Sequence, residues 1–177
     1  METGKPQSPV VAKAPKRSKT KKRRVPTAVE VRQSKVHGRG LYAAEPIRKG
    51  KRVIEYTGTQ VAWAEATPQA DGPHTFLFGL TNGKDVIDPE VGGNEARWIN
   101  HSCDPNCEAI EEGDRVFIYA LRALRPGEEL LYDYGLEVDE PRSKKLEREY
   151  ECRCGSVRCR GTMLGPASNN TGKRWSS

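Results

Sequence analysis

The chain has 177 residues, 35% of them hydrophobic, and a formal charge of +6. That length suits one compact domain with tails and hardly two. No apolar run approaches the ~20 residues of a membrane helix, and Met1-Glu2-Thr3-Gly4-Lys5 lacks the apolar stretch of a secretory signal, so an intracellular, reducing location with no membrane partner is expected.

Residues 1–27 hold nine Lys/Arg and one acid, a net of +8, whereas residues 28–177 hold 21 Lys/Arg against 23 Asp/Glu, a net of −2. The tail has no hydrophobic periodicity and is expected to be disordered. Its run from Lys13 to Arg24 packs eight positive charges into twelve residues. Such a run reads as a nuclear address, a nucleic-acid clamp or a solvated solubility tail. An acidic body favours a cationic partner such as a lysine-rich peptide, and a basic arm favours nucleic acid.

Order is expected from Ala28 onward. Ala28–Arg32 alternates with period two and predicts a strand. Gly38-Arg39-Gly40 is a tight turn into Leu41–Ala44, and Val53–Gly58 is a further short strand. Thr75–Leu80 and Asp85–Asp88 flank Asn82-Gly83, a strong hairpin signal. Cys107–Ile110 and Arg115–Leu121 predict a second hairpin through Glu112-Gly113. Arg125-Pro126-Gly127 turns into Glu128–Tyr132. Helix is expected only at Val61–Ala66, Gly93–Ile99 and Ser143–Arg148. Many short strands with Gly/Pro punctuation make the fold mostly β.

Three segments carry chemistry. Asn100-His101-Ser102-Cys103-Asp104-Pro105-Asn106 reads either as a turn that stops a helix or as a site, because varied polar groups crowd behind an apolar anchor. Glu128-Glu129-Leu130-Leu131-Tyr132-Asp133-Tyr134-Gly135 reads as an edge strand with two phenols on one face, or as one wall of a narrow channel. Cys152-Arg153-Cys154 and Cys159 have the close spacing of thiolate metal ligands, the alternative being unpaired surface thiols. A fourth sulfur would come from Cys103 or Cys107. Five cysteines, an odd number, in a chain without a visible secretion signal argue against a disulfide framework.

Together with Gly38-Arg39-Gly40, and in this order, these motifs resemble the SET-domain protein-lysine N-methyltransferases that carry a post-SET zinc segment. The resemblance covers about residues 28–165. It implies a SET fold of small curved β-sheets with few short helices, in which residues 100–106 thread beneath residues 128–135 in a knot-like crossing. It divides the chain into a basic tail (1–27), a SET domain (28–138), a linker (139–149), a post-SET zinc segment (150–166) and a C-terminal tail (167–177) expected to be disordered.

The resemblance also implies S-adenosyl-L-methionine as cofactor, held by Lys35, His37, Gly38, Arg39, Gly40, Asn100, His101 and Tyr134. His74 stands where many relatives place an aromatic residue against it. The target lysine would enter a channel lined by Tyr56, Tyr132 and Tyr134, with Tyr134 at the family's catalytic position. A Tyr at 132 implies a bias to monomethylation. Zinc would be held by Cys103, Cys152, Cys154 and Cys159. The implied partner is a lysine-bearing protein, histone tails being the family default, with chromatin as the place of action in a eukaryote or its host. Two other readings stand beside this one: a catalytically silent SET-like module that binds lysine-rich tails or nucleic acid, and a small zinc-stapled nucleic-acid packaging protein.

Overall fold

A computed structural model describes residues 28–63, 65–66, 76–138 and 141–166. The two tails, His74 and most of the stretch before it lie outside the described residues. In chain order the elements are β1 (Val29–Gln33), β2 (Arg39–Ala43), β3 (Arg52–Tyr56), β4 (Thr59–Ala62), β5 (Phe78–Gly79), β6 (Asp85–Asp88), a short 3-10 helix (Glu95–Trp98), β7 (Asn100–His101), β8 (Cys107–Glu112), β9 (Arg115–Ala120), β10 (Leu131–Tyr132) and α1 (Lys144–Glu149). The architecture is mostly β, as the punctuation implied.

The strands form four small sheets. β1 pairs antiparallel with β2, β9 lies between β3 and β8, β6 lies between β4 and β5, and β7 pairs with β10. Period-two patterning explains the central strand β9. Val116, Ile118 and Ala120 point inward and are buried. Phe117 faces the other way but is also buried, beneath the guanidinium groups of Arg52 and Arg115 at 4.0 and 4.8 Å. Those cations are held in turn by Glu112 and Glu55. The core behind β9 gathers Leu41, Ile99, Leu124 and Leu130, all fully buried.

Turn chemistry fixes both hairpins. Asn82 Oδ1 accepts from the amides of Lys84 and Asp85 at 2.8 and 3.0 Å, and Gly83 takes a φ of +66°. In the second hairpin Glu112 pairs with Arg115, so the loop is Gly113-Asp114 rather than Glu112-Gly113. The helix expected over Val61–Ala66 is not formed. Thr59–Ala62 is strand β4, paired with β6 through Val61↔Val86, and the chain then turns as Ala66 donates to the Ala62 carbonyl. Sheet pairing overrides the helix-forming alanines. Gly93–Ile99 contracts to the 3-10 helix, capped by the Asn94 side chain. The third predicted helix is present as α1, capped by Ser143, whose hydroxyl accepts from Leu146 N.

The pairing that matters most for the site is the parallel one. Leu131 and Tyr132 lie beside Asn100 and His101. Asn106 returns to the same strand: its Oδ1 accepts from Leu131 N at 2.9 Å and its Nδ2 donates to Glu129 O at 2.7 Å. The two segments expected to cross are therefore bound to each other along their length.

Candidate active site and metal centre

Five rings make a continuous row. Tyr56 contacts Phe78 at 5.3 Å, Phe78 contacts Tyr132 at 6.3 Å, Tyr132 contacts Tyr134 at 4.9 Å, and Tyr134 contacts His101 edge-on at 5.3 Å between centroids. The structure thus brings together all three tyrosines singled out in the sequence. It corrects one detail: β10 ends at Tyr132, and Tyr134 lies beyond it, outside any strand, rather than two residues along one strand face. What holds Tyr134 is His101, whose Nδ1 accepts from the Tyr134 amide at 3.1 Å, and Ile99, whose carbonyl accepts from the Tyr134 hydroxyl at 2.8 Å. The Tyr56 hydroxyl likewise donates to the Phe76 carbonyl.

Burial pushes the pKa of all three phenols up, so they remain neutral at physiological pH. A phenol whose proton is committed to a carbonyl still offers its oxygen lone pairs. Tyr56 and Tyr134 can therefore accept hydrogen bonds from an amine in the row. Phe78, which bridges two of the tyrosines, was not a sequence candidate; its ring is indistinguishable in the sequence from any other strand aromatic.

Next to this row lies the loop from Ser34 to Gly40. Lys35, His37, Gly38 and Arg39 are exposed and Gly40 is buried. Gly38 takes a φ of +46°, a region that disfavours any side chain. Asn100, on β7, ties the loop to the site: its Nδ2 donates to the carbonyls of His37 and Arg39 at 3.2 and 2.8 Å and to Glu129 Oε1 at 2.9 Å. Glu129 carries no site signal in the sequence, because a glutamate in a turn is usually solvated.

The third feature is sulfur. The Sγ atoms of Cys103, Cys152, Cys154 and Cys159 all lie within 4.8 Å of one another. A tetrahedral zinc with Zn–S bonds of ~2.3 Å needs sulfur–sulfur edges of about 3.8 Å. Cys103 stands 3.6 and 3.9 Å from Cys152 and Cys159, so the donor set fits. Backbone amides of Cys154 and Gly161 point at the sulfurs of Cys152 and Cys159 at 3.4 and 3.3 Å, as suits thiolates. Cys107 takes no part. It is fully buried in the core, and burial pushes its thiol up to about 12.

His101 joins the two features. Burial lowers its pKa to about 4, so the ring is neutral. Because Nδ1 accepts from Tyr134, the proton resides on Nε2, which faces Cys103 Sγ at 3.3 Å. The 3.6 Å approach of Asp133 to Nδ1 is therefore no ion pair; Asp133 is instead paired with Arg160. That pair and the Leu136–Leu164 bridge dock the cysteine segment against residues 133–136, and Arg158 pairs it with Asp104. The imidazole of His101, expected against the cofactor, is thus engaged between Cys103 and Tyr134.

The SET domain sequence pattern matches residues 38–135, more than half of the chain. The chain belongs to the SET-domain family. It is 39% identical over 142 residues to human histone-lysine N-methyltransferase 2B, a match covering 75% of this chain and 5% of that protein. It is 38% identical over 153 residues to a Neurospora crassa histone-lysine N-methyltransferase described as H3 lysine-4 specific, covering 81% of this chain and 11% of that one. This SET-domain chain thus spans a small part of the length of these relatives. Among solved structures, a chain of the Chaetomium thermophilum polycomb repressive complex 2 aligns with a TM-score of 0.57 and 31% identity, over 64% of this chain and 16% of that chain.

Proposed function

We propose that this SET domain is a protein-lysine N-methyltransferase that uses S-adenosyl-L-methionine and acts on a lysine-rich protein, histone tails being the leading class. The observation that carries the reading is the neutral aromatic row that runs through Tyr134 to His101, whose chain neighbour Asn100 bonds the His37–Arg39 loop. The histone-directed names of the relatives support the substrate class. When bound, the cofactor supplies a methyl group on a sulfonium.

Lys35, His37, Gly38, Arg39, Gly40, Asn100, His101 and Tyr134 would hold it, with the loop backbone the main contact and His101 acting through Tyr134. A free lysine ammonium has a pKa of ~10.4 and must lose a proton before it can attack. The apolar row of Tyr56, Phe78, Tyr132 and Tyr134 disfavours the charged form by desolvation. No phenolate is present to retain the proton. Tyr56 and Tyr134 present lone pairs that accept from the neutral amine and fix its direction, and such alignment is the main contribution to an in-line displacement. Tyr132, whose hydroxyl makes no hydrogen bond among the described residues, narrows the space around that nitrogen and favours a single methylation.

Zinc at Cys103, Cys152, Cys154 and Cys159 would fix residues 150–166, the proposed post-SET segment, against residues 133–136. The basic tail would bring the enzyme to nucleic acid, and chromatin is the corresponding place of action. The test is an assay with methyl-labelled cofactor on core histones and on a cell lysate, followed by mass spectrometry. Labelled methyl-lysine that disappears with Tyr134→Phe is the expected result. Cofactor binding without transfer to any lysine in either sample would overturn the enzymatic reading and leave a silent binding module.

A further inference from the structure

Glu129 lies just before β10, where a glutamate would ordinarily be solvated. Its carboxylate instead accepts from three separate parts of the fold. Ser34 Oγ donates at 2.7 Å from the loop after β1, Tyr42 OH at 2.9 Å from β2, and Asn100 Nδ2 at 2.9 Å from β7. The Ser34 hydroxyl also receives the amides of Val36 and His37 at 2.9 and 3.3 Å, and Ser34 N closes the loop onto the Gly38 carbonyl at 2.9 Å. One carboxylate thus anchors the whole turn. A Cβ on Gly40 would stand 2.2 Å from Glu129 Oε1, so the glycine leaves the space that the carboxylate fills.

All three donors are neutral. No ion pair among the described residues includes Glu129. A carboxylate held by hydroxyls and an amide keeps its full negative charge, and its field reaches Tyr134, where it helps to keep the phenol protonated.

We propose that Glu129 is a positioning residue for the cofactor loop, and that its uncancelled charge favours the sulfonium cofactor over the neutral thioether left after transfer. This rests on the reading that the Ser34–Gly40 loop holds S-adenosyl-L-methionine. A unit charge even ~12 Å away changes affinity about tenfold at an effective dielectric of ~20. The two cofactor forms differ by the sulfonium charge and one methyl group, so their affinity ratio reports the field at that point. A purely structural role would weaken both alike.

The experiment measures S-adenosylmethionine and S-adenosylhomocysteine binding by calorimetry to the full chain and to two variants. Glu129→Gln removes the charge, and Glu129→Asp keeps it while shortening the reach. Glu129→Gln should weaken both ligands, with the sulfonium form losing roughly tenfold more. Glu129→Asp should weaken both by the same factor and keep the wild-type ratio. Equal weakening by Glu129→Gln, or wild-type binding, overturns the charge assignment. Hydrogen exchange at Val36–Gly40 should quicken in Glu129→Gln while the melting temperature of the remainder is kept; unchanged exchange overturns the positioning role. Failure of the wild-type chain to bind either ligand would instead overturn the functional reading, and the exchange result still decides what Glu129 does to the loop.

Discussion

Tyr132 and Tyr134 are chemically alike and differently held. The Tyr134 hydroxyl is fixed by Ile99 and its amide by His101, whereas the Tyr132 hydroxyl is not bonded within the described residues. Removing a fixed, orienting hydroxyl typically costs ~10²-fold or more in rate. Tyr134→Phe is therefore expected to lose transfer at about that level with cofactor affinity kept, as single-turnover kinetics and calorimetry will show. Tyr132→Phe instead widens the row, and mass spectrometry should find higher methylation states. A second consequence concerns pH. With Tyr56, Tyr132 and Tyr134 raised above the usual phenol value by burial, kcat/KM should climb from pH 7 toward the lysine pKa of ~10.4 with no descending limb from ionisation of these tyrosines. Gly40→Ala is the steric counterpart of losing Glu129. The new methyl would displace a carboxylate pinned by three hydrogen bonds, each of ~1 kcal/mol net, and cofactor affinity should fall with the fold intact.

Local elements differ in how far the sequence discloses them. The Asn82-Gly83 hairpin was legible because its turn has a residue-level cause. The helix expected over Val61–Ala66 fails because the pairing of β4 with β6, some twenty-five residues away, outweighs the local preference of its alanines. β7 and β10 are two residues each, too short for any periodicity, so their parallel contact came only from family resemblance. The cysteine cluster was legible because close thiol spacing is itself the signal. Spacing alone leaves Cys103 and Cys107 open as the fourth sulfur, and the family resemblance names Cys103; the fold faces Cys103 toward the C-terminal segment and seals Cys107 in the core. Cys159→Ser should therefore lower zinc content, measured by metal analysis, and activity with it. The matching control is Cys107→Ala rather than Ser, since a hydroxyl there would enter an apolar core. It should keep its zinc and lose only stability.

At the scale of the whole molecule the governing fact is the division of charge, +8 in residues 1–27 against −2 in the remainder. β1 begins at Val29, directly after this basic segment in the sequence. Beyond Met1, only Val10, Val11 and Val25 interrupt its polar and small residues, too few to build a packing face of its own. Its contribution should then be electrostatic and directed at the substrate. Binding through Lys and Arg to a nucleic acid backbone falls steeply with salt, in proportion to the phosphates neutralised. Removing residues 1–27 should leave kcat/KM on a short lysine peptide within about twofold, and should weaken action on nucleosomes at low ionic strength. The gap between the two proteins should close as salt is raised, because screening removes what the deletion removed. Equal loss on peptide and nucleosome would mean that the tail belongs to the active site, and equal activity on both at low salt would leave it no part in substrate capture.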